Sequence, residues 1–426
     1  MMLTSQSGRT VRRTPDRRTL ATLGSLCLFL SAIEYIIPKP LPFMRIGLAN
    51  LPLLLALDIF GARDFFLLAL LKTLGQGIIG GTLFSYVFLF SLAGTFCSAA
   101  LMYILRRLLG KNLGFAGLGC VGAMASNGVQ LVLARYVIFG SALRYMIPPF
   151  LASGFITGIA LGLICEYFCR HSRWYALHTQ YAEHTRYALH TQYNQVVNTQ
   201  PDTKNAAANF AGETNVVGTV GEAEYRLRRQ RRWNELFNPG DLFIAGALMT
   251  LIFILSRSMS CRIAQFLFFC LLAWLSGKKN NVFITVSIMA GIVFFNLLAP
   301  YGKVLAVYGP LRITKGALFA GLEKAITLEG LVMLSRACIA GGLRLPGTIG
   351  SLLGESLRTL ELMRERKGMI RRGHISAGID ALLLELEAAD TGNPVYPPQP
   401  KRSIKGMVLL SAMVLITALC LFAAKF

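Results

Sequence analysis

Residues 43–61 read FMRIGLANLPLLLALDIFG, an apolar run with a cation before it and an amide inside it. Arg45 precedes the run, and Asn50 lies among its leucines. Ionisable and strongly polar side chains are costly in a bilayer, so they usually face a cavity or a partner rather than lipid. The stretch therefore predicts a membrane helix with one polar side turned toward the protein interior.

The whole chain has the composition of a membrane protein. Its 426 residues are 54% hydrophobic and only 15% charged, whereas a soluble domain carries about 25% charged residues. The net charge of +22 would also suit a nucleic-acid binder, but the basic residues flank apolar runs, so no nucleic-acid partner is predicted. The nine cysteines lie in or beside apolar runs and form no CxxC pair, which favours packing inside helices over a metal site.

Eleven apolar runs are long enough, or nearly long enough, to cross a bilayer. We therefore expect an all-α polytopic membrane protein with about eleven transmembrane helices in two bundles, six plus five, and cytoplasmic amphipathic helices. The predicted domains are a basic tail at 1–18, a six-helix membrane domain at 19–169, a polar linker at 170–235 and a second membrane domain at 236–426.

Clusters of Arg and Lys predict the orientation, because cytoplasmic loops carry an excess of these residues. With the N-terminus in the cytoplasm, every large cluster falls on the cytoplasmic side, whereas Arg135 and Arg144 fall outside. These clusters lie at 9–18, 105–111, 226–232 and 358–372. We expect a multi-pass protein of a bacterial inner membrane.

The linker contains a short repeat, YALHTQY, at 175–181 and again at 187–193. His178, His184 and His190 are spaced by six, and a histidine tract of this kind sometimes binds metal. A spacing of six does not place side chains on one helical face. A local duplication is the favoured interpretation, and no metal site is predicted.

Several ionisable and amide side chains fall within the first six apolar runs. Lys72 with Gln76, and Asn127 with Gln130, are spaced so that each pair shares one helical face. Small residues nearby let helices approach closely and leave room for a ligand, although each polar residue could equally join two helices. The predicted substrate-binding residues are Glu34, Arg45, Asn50, Lys72, Gln76, Asn127 and Gln130. The cations among them favour an anionic solute.

No motif for reaction chemistry is present. The sequence lacks GxxxxGK[ST], HExxH, GxSxG and any pair of adjacent aspartates. We therefore expect neither enzymatic activity nor a cofactor, and no catalytic residue is predicted.

Two amphipathic helices are predicted in the cytoplasmic segment at about 349–388. Their apolar faces fit either a groove on a soluble partner or the membrane surface. The predicted partner-coupling residues are Leu353, Leu357, Leu360, Arg364, Arg366, Arg371 and Arg372.

Residues 19–169 resemble the Gx transporter family, which is also labelled heptaprenyl diphosphate synthase component I. The resemblance rests on IEYIIPKPLPFMRIGLANLPLLLAL, LKTLGQGIIGGTLFSYVFLFSLAG and GAMASNGVQLVLARYVIFG. This family is related to the six-helix substrate-binding S components of energy-coupling factor (ECF) transporters. The resemblance implies substrate capture, with Arg45 and Asn50 at the mouth of the site.

Residues 236–424 resemble the T component, the transmembrane coupling subunit of the same transporters, through ITKGALFAGLEKAITLEGLVMLSRACI. T components engage separate cytoplasmic ABC-type ATPases through short Ala-Arg-Gly-like motifs, and this chain has RERKG and RRG instead. The two resemblances imply an uptake component for a small anionic solute resembling a vitamin or an isoprenoid or quinone precursor. The alternative is a membrane accessory subunit of polyprenyl diphosphate or quinone biosynthesis.

Overall fold

The computed structural model describes most of the chain as helices. The described residues are 17–36, 47–179, 220–278, 282–308, 311–339, 347–366, 375–388 and 402–423. Arg45 of the predicted substrate site, and Arg371 and Arg372 of the predicted coupling segment, lie outside these residues.

Each predicted span of residues 19–169 contains a helix. The helices are α1 (Arg17–Ile36), α2 (Leu51–Ile59), α3 (Ala62–Gly80), α4 (Tyr86–Leu109), α5 (Phe115–Ala134) and α6 (Ile147–His171). At about 1.5 Å per residue, the nine residues of α2 span roughly 14 Å, about half of a hydrocarbon core. A short helical turn at Leu48–Asn50 precedes α2, and extended backbone at Phe60 ends it. The run at 43–61 therefore does not form a full span.

The centre of the first bundle is α1, whose side chains are buried continuously from Thr19 to Leu30. A helix that is apolar on all sides is expected in a protein core. Elsewhere in the bundle, α5 and α6 pack against each other in backbone contact, because a side-chain carbon at Gly162 would overlap the carbonyl of Phe115. Close approach of two helices requires such small residues.

The second half of the chain contains six further helices and a short two-stranded hairpin, besides the amphipathic helices described below. A further short helix, α7 (Arg173–His178), follows α6. The bounds are α8 (Val220–Leu236), α9 (Pro239–Leu255), α10 (Met259–Leu275), α11 (Val282–Leu297), β1 (Val304–Tyr308), β2 (Leu311–Thr314), α12 (Lys315–Cys338) and α15 (Ile404–Ala423). β1 and β2 pair antiparallel. Within the residues that the structure describes, the expected all-α fold is thus helical apart from one two-stranded hairpin, whose five- and four-residue strands are too short to show a strand period.

Three helical segments among the described residues are long and apolar enough to cross a membrane. They are Tyr86–Leu109, Phe115–Tyr145 and Ile147–His171. The pair Glu224–Leu236 and Pro239–Leu255, bent by 93°, would make a fourth. Large apolar side chains are exposed on both halves, including Ile156 on α6 and Leu251 on α9, as expected for helices embedded in lipid. The count of eleven spans stays a prediction.

The two amphipathic helices are α13 (Gly347–Glu365) and α14 (Ile375–Ala388), close to their predicted positions. α13 packs along α1, where Leu353 and Leu360 are only 2% and 4% exposed. Arg17 at the start of α1 donates to Ser351 Oγ at 2.6 Å and pairs with Glu355 at 3.4 Å. The C-terminal half of the chain is therefore bound to the central helix of the N-terminal half.

One end of the first bundle lies along the flank of α12. The α5–α6 connection meets the second bundle where Asn296 Nδ2 donates to Ile138 O at 3.4 Å and Lys324 lies near Gly140. The α3–α4 connection, at the same end of the first bundle, donates from Phe84 N to Ser335 Oγ at 3.1 Å. Lys324 and Ser335 are about 16 Å apart along α12. The α3–α4 and α5–α6 connections therefore both contact the C-terminal half of the chain, at α11 and α12.

Candidate functional site

A polar cavity lies inside the first bundle, between α1, α3, α4, α5, α6 and the turn before α2. Its volume is about 60 Å³, well above the roughly 10–15 Å³ that one water needs. Every described residue of the predicted substrate site lines it: Glu34, Asn50, Lys72, Gln76, Asn127 and Gln130. The structure thus brings together side chains from three helices and one turn, although their role in binding stays a prediction.

Asn50 and Lys72 are joined across the cavity wall. Lys72, on α3 and 4% exposed, donates from Nζ to Asn50 Oδ1. Asn50 ends the helical turn that precedes α2, and this turn begins at Gly47 with a φ of 84°, a conformation that favours glycine. A buried ammonium requires hydrogen-bond acceptors, and the amide among the leucines of residues 43–61 supplies one.

Gln76 lies one turn after Lys72 and contributes an acceptor to the cavity. Its Nε2 donates to Ser31 Oγ on α1 at 2.9 Å. Its buried Oε1 finds no hydrogen-bond donor within the described part of the chain. Because an unsatisfied buried acceptor costs about 1–3 kcal/mol, this oxygen is a natural contact for a solute donor.

Asn127 and Gln130 approach the cavity from α5. Asn127 Nδ2 donates to Phe150 O at 3.0 Å, and Gln130 Nε2 donates to Ser126 Oγ at 3.0 Å. Gly154 on α6 leaves the space that the Asn127 amide occupies, since a side-chain carbon there would overlap it. The small residues of these helices thus admit polar groups as well as close packing.

The sequence interpretation missed the hydroxyl groups of the lining. Ser91, Thr95 and Ser98 recur on α4 at spacings of four and three, which places them on one helical face. This period was visible in the sequence and could have identified that face. The hydroxyl side chains that line the cavity are Ser91, Thr95, Ser98, Ser126 and Thr157.

The described part of the lining carries one acidic and one basic side chain. Glu34, on α1 and 6% exposed, and Lys72 are its two ionisable side chains within the described residues. The expectation of an anionic solute depended on Arg45 as well, which lies outside the described residues.

Four of the predicted coupling residues, Leu353, Leu357, Leu360 and Arg364, lie on α13, and its apolar face packs against α1. Leu353 and Leu360 belong to the core of the first bundle, and Leu357 packs partly buried beside them. Arg364 is exposed, whereas Arg366 forms an ion pair with Glu385 of α14. A soluble partner would therefore meet the polar side of α13, and contact with ATPases stays a prediction.

The described part of the first repeat copy, residues 175–179, and the residues just before it contact α14 and the end of α2. Asp380 of α14 accepts hydrogen bonds from Ser172 Oγ and from Trp174 N, the latter at 3.0 Å. Tyr175 donates to Asp58 at 3.0 Å, and burial raises the pKa of this phenol, which keeps it protonated. His178 contacts Glu387 at 3.2 Å.

Metal binding by the repeat finds no support in the described part of the chain, where no group of three His, Cys, Asp or Glu side chains could hold an ion. His184 and His190 lie outside the described residues.

Comparison with known proteins gives two matches to family models. A model described as heptaprenyl diphosphate synthase component I matches residues 23–168, about a third of the chain, and confirms the resemblance predicted for the first bundle. A model described as a domain of unknown function (DUF8519) matches residues 242–340. No curated protein and no solved structure matches the chain. The resemblance of residues 236–424 to T components stays a prediction.

Proposed function

We propose that the chain is the membrane component of an uptake transporter and combines solute capture with energy coupling. The first bundle would bind a small solute in its polar cavity. The second bundle, with α13 and α14, would connect this bundle to separate cytoplasmic ATPases in a bacterial inner membrane. No catalytic step and no cofactor are assigned to the chain itself.

The observation that supports this proposal is the polar cavity inside an otherwise apolar bundle. Six residues that are separated by up to 96 positions in the chain converge on it. Buried polar side chains in a membrane protein usually line a pathway or a binding site. A purely structural amide network would leave few polar atoms without partners, yet Gln76 Oε1 is one such atom.

The contact between α13 and α1 supports the coupling half of the proposal. α1 carries Gly24, which faces Ser356 of α13, and Glu34, which lines the cavity. These two positions are about 15 Å apart on one rigid helix. A displacement of α13 by a cytoplasmic partner would therefore reach the cavity through α1.

The proposal is tested by identifying what the full-length chain binds after purification from its native membrane. ATPase subunits in the complex, together with a retained small molecule, are the expected result. Asn127→Leu should reduce the retained molecule at least tenfold, because loss of a polar contact to a charged group costs about 1.5–3 kcal/mol. Val132→Leu, on the exposed side of the same helix, is the matched control. Purification without ATPases and without a solute would refute the proposal.

A second candidate function follows from the name of the matched family. That name implies a membrane component linked to heptaprenyl diphosphate synthase, so an accessory subunit of polyprenyl diphosphate or quinone biosynthesis is the alternative. In this case the purified complex would contain a prenyl synthase instead of ATPases, and the Asn127→Leu change would leave its composition unaltered.

A further inference from the structure

We propose that α8 is a binding surface for the headgroups of anionic phospholipids, which it holds at the membrane interface beside α9 and α10. This surface lies in the second half of the chain, and the proposal is independent of any solute in the cavity of the first bundle.

The charge and direction of α8 carry the first step. Residues 226–232 read RLRRQRR, with five arginines and no acidic residue, which makes this helix too costly to place in lipid. The next helix, α9, exposes Ile244, Leu248 and Leu251, as a helix in lipid does. The two helices are bent by 93°, so α8 runs along the membrane surface where α9 enters the bilayer. A cluster of about four to eight basic residues beside a membrane helix is typical of binding to anionic headgroups.

The contact between α8 and the end of α10 carries the second step. A side-chain carbon at Gly277 would lie 2.5 Å from Arg226 O, so the two backbones touch there. Arg229 Nη1 donates to Trp274 O at 2.8 Å, and Trp233 is buried in the core of the second half. The arginines are therefore presented by a helix that is already fixed to the protein, which lowers the entropy cost of binding.

The outward face of α8 carries the third step. Arg228, Arg231 and Arg232 are exposed, and their spacings of three and four place them on one side of the helix. Glu224 and Glu235 flank them on the same side, and Glu224 pairs with Arg228 at 2.7 Å. Within the described residues, Arg231 and Arg232 have no ion-pair partner. Their planar guanidinium groups match the oxygens of a phosphate.

Two exposed aromatic rings distinguish a lipid from a soluble acidic partner. The Arg229 guanidinium lies 4.2 Å from the centroid of the Trp274 ring and 4.8 Å from that of Tyr225. Both aromatic residues are more than half exposed. Trp and Tyr are enriched at the boundary between lipid and water, so these rings place the arginine cluster at the depth of the headgroups. A soluble acidic partner would account for the charges but not for an exposed tryptophan at the end of the apolar α10.

The test uses Trp274 as the reporter, because the other two tryptophans, Trp174 and Trp233, are buried. The full-length chain is reconstituted in phosphatidylcholine vesicles with increasing amounts of brominated phosphatidylglycerol or, in parallel, brominated phosphatidylcholine. Bromine quenches the fluorescence of a nearby tryptophan. Half-maximal quenching should require at least tenfold less of the anionic lipid. Equal quenching by both lipids, or no quenching by either, overturns the proposal. Trp274→Phe should lack the difference, and a difference that persists in this variant also overturns it.

Variants of α8 connect the lipid preference to the arginines. Each arginine beside an anionic surface strengthens association roughly fivefold, so the double variant Arg231→Gln/Arg232→Gln should lose roughly tenfold or more of the preference. The double variant Arg107→Gln/Arg170→Gln removes two exposed arginines of α4 and α6 and should behave like the parent. If the α8 variant keeps the preference, or if the control loses as much, the assigned surface is wrong.

Two further measurements separate lipid binding from a structural role and from a soluble anion. Arg231→Lys/Arg232→Lys keeps both charges and should keep most of the preference; a loss as large as that of the Gln variant would mean that the arginines maintain the helix instead of attracting lipid. Inorganic phosphate, added at constant ionic strength, should leave the preference unchanged. If phosphate abolishes it, the site binds a soluble anion and the proposal is refuted.

Discussion

The contact between α1 and α13 is testable by one added methyl group. A Cβ at Gly24 would lie 2.7 Å from Ser356 Oγ and 3.4 Å from Ser356 Cβ. Gly24→Ala should therefore destabilise the protein by about 1–3 kcal/mol, the usual cost of overpacking. This loss is partly offset by a gain in stability of up to about 1 kcal/mol, because alanine is a better helix former than glycine. A net loss of about 0.5–2 kcal/mol is expected in thermal unfolding of the detergent-solubilised chain.

The same contact predicts rescue by a second change. Ser356 Oγ is buried and finds no partner within the described residues, so Ser356→Ala alone should be neutral or slightly stabilising. With the hydroxyl gone, the added methyl group meets the Cβ of residue 356 at 3.4 Å and Leu71 Cδ1 at 3.9 Å, and the double variant should be at least as stable as the parent. The resulting coupling energy of 1 kcal/mol or more is typical of residues in contact.

Gly128→Ala is the matched control, because a Cβ at that position meets nothing within 4 Å. It should be neutral or stabilising by up to about 1 kcal/mol. If Gly24→Ala behaves like Gly128→Ala, or if Ser356→Ala fails to rescue it, α13 does not pack on α1 as described. The proposed route from the cytoplasmic helices to the cavity would then lack its first contact.

Three further predictions concern α7, the segment that follows α10 and the linker. Asp380→Asn should raise the amide hydrogen-exchange rate of residues 173–178 by roughly tenfold or more, because hydrogen bonds to a charged acceptor contribute about 1.5–3 kcal/mol. Unchanged exchange rates would show that α14 does not hold α7. Burial lowers the pKa of Lys278 from 10.5 to about 8. Between these two pH values the unfolded chain binds more protons than the folded chain, so the free energy of unfolding should rise with pH from about 8 to 10.5. The Lys278→Met variant should lack this rise. If the free energy of unfolding depends on pH equally in both proteins, the lowered pKa is not that of Lys278. A cysteine introduced at Gly212 should resist labelling from outside intact cells, and efficient labelling would disprove the cytoplasmic linker.

The helices were largely predictable because apolar runs mark where a membrane chain can be buried, and charge clusters mark the segments between those runs. All eleven predicted runs contain a helix, and the two amphipathic helices begin and end within two residues of the predicted segment at about 349–388. α2 shows the limit of this reasoning. Its run at 43–61 has nearly the length of a span, but the turn at Leu48–Asn50 and the extended Phe60 restrict the helix to nine residues. Hydropathy reports burial, and burial in protein and burial in lipid look alike in sequence.

The cavity residues were predictable as a set, but their contacts were not. A costly polar residue in an apolar run signals an interior position, and that argument found six residues that line one cavity. It could not pair Lys72 with Asn50, because periodicity describes one helix at a time and this bond joins two elements. The same limit explains α13. Its apolar face was evident, but the face it packs against, on a helix more than three hundred residues earlier, was not.

α1 is enclosed because it contacts α13 at one end and the polar cavity at the other. Its start contacts α13 through Arg17 and Gly24, and its end brings Glu34 to the cavity. A helix that faced lipid on one side could change its tilt without disturbing either neighbour. With every side chain from Thr19 to Leu30 buried, α1 can shift only together with its neighbours, since closely packed interiors transmit displacement rather than absorb it. If α13 and the cavity are energetically connected, we expect the connection to run through this one helix. The Gly24 and Ser356 variants, assayed for solute retention as well as stability, test that expectation.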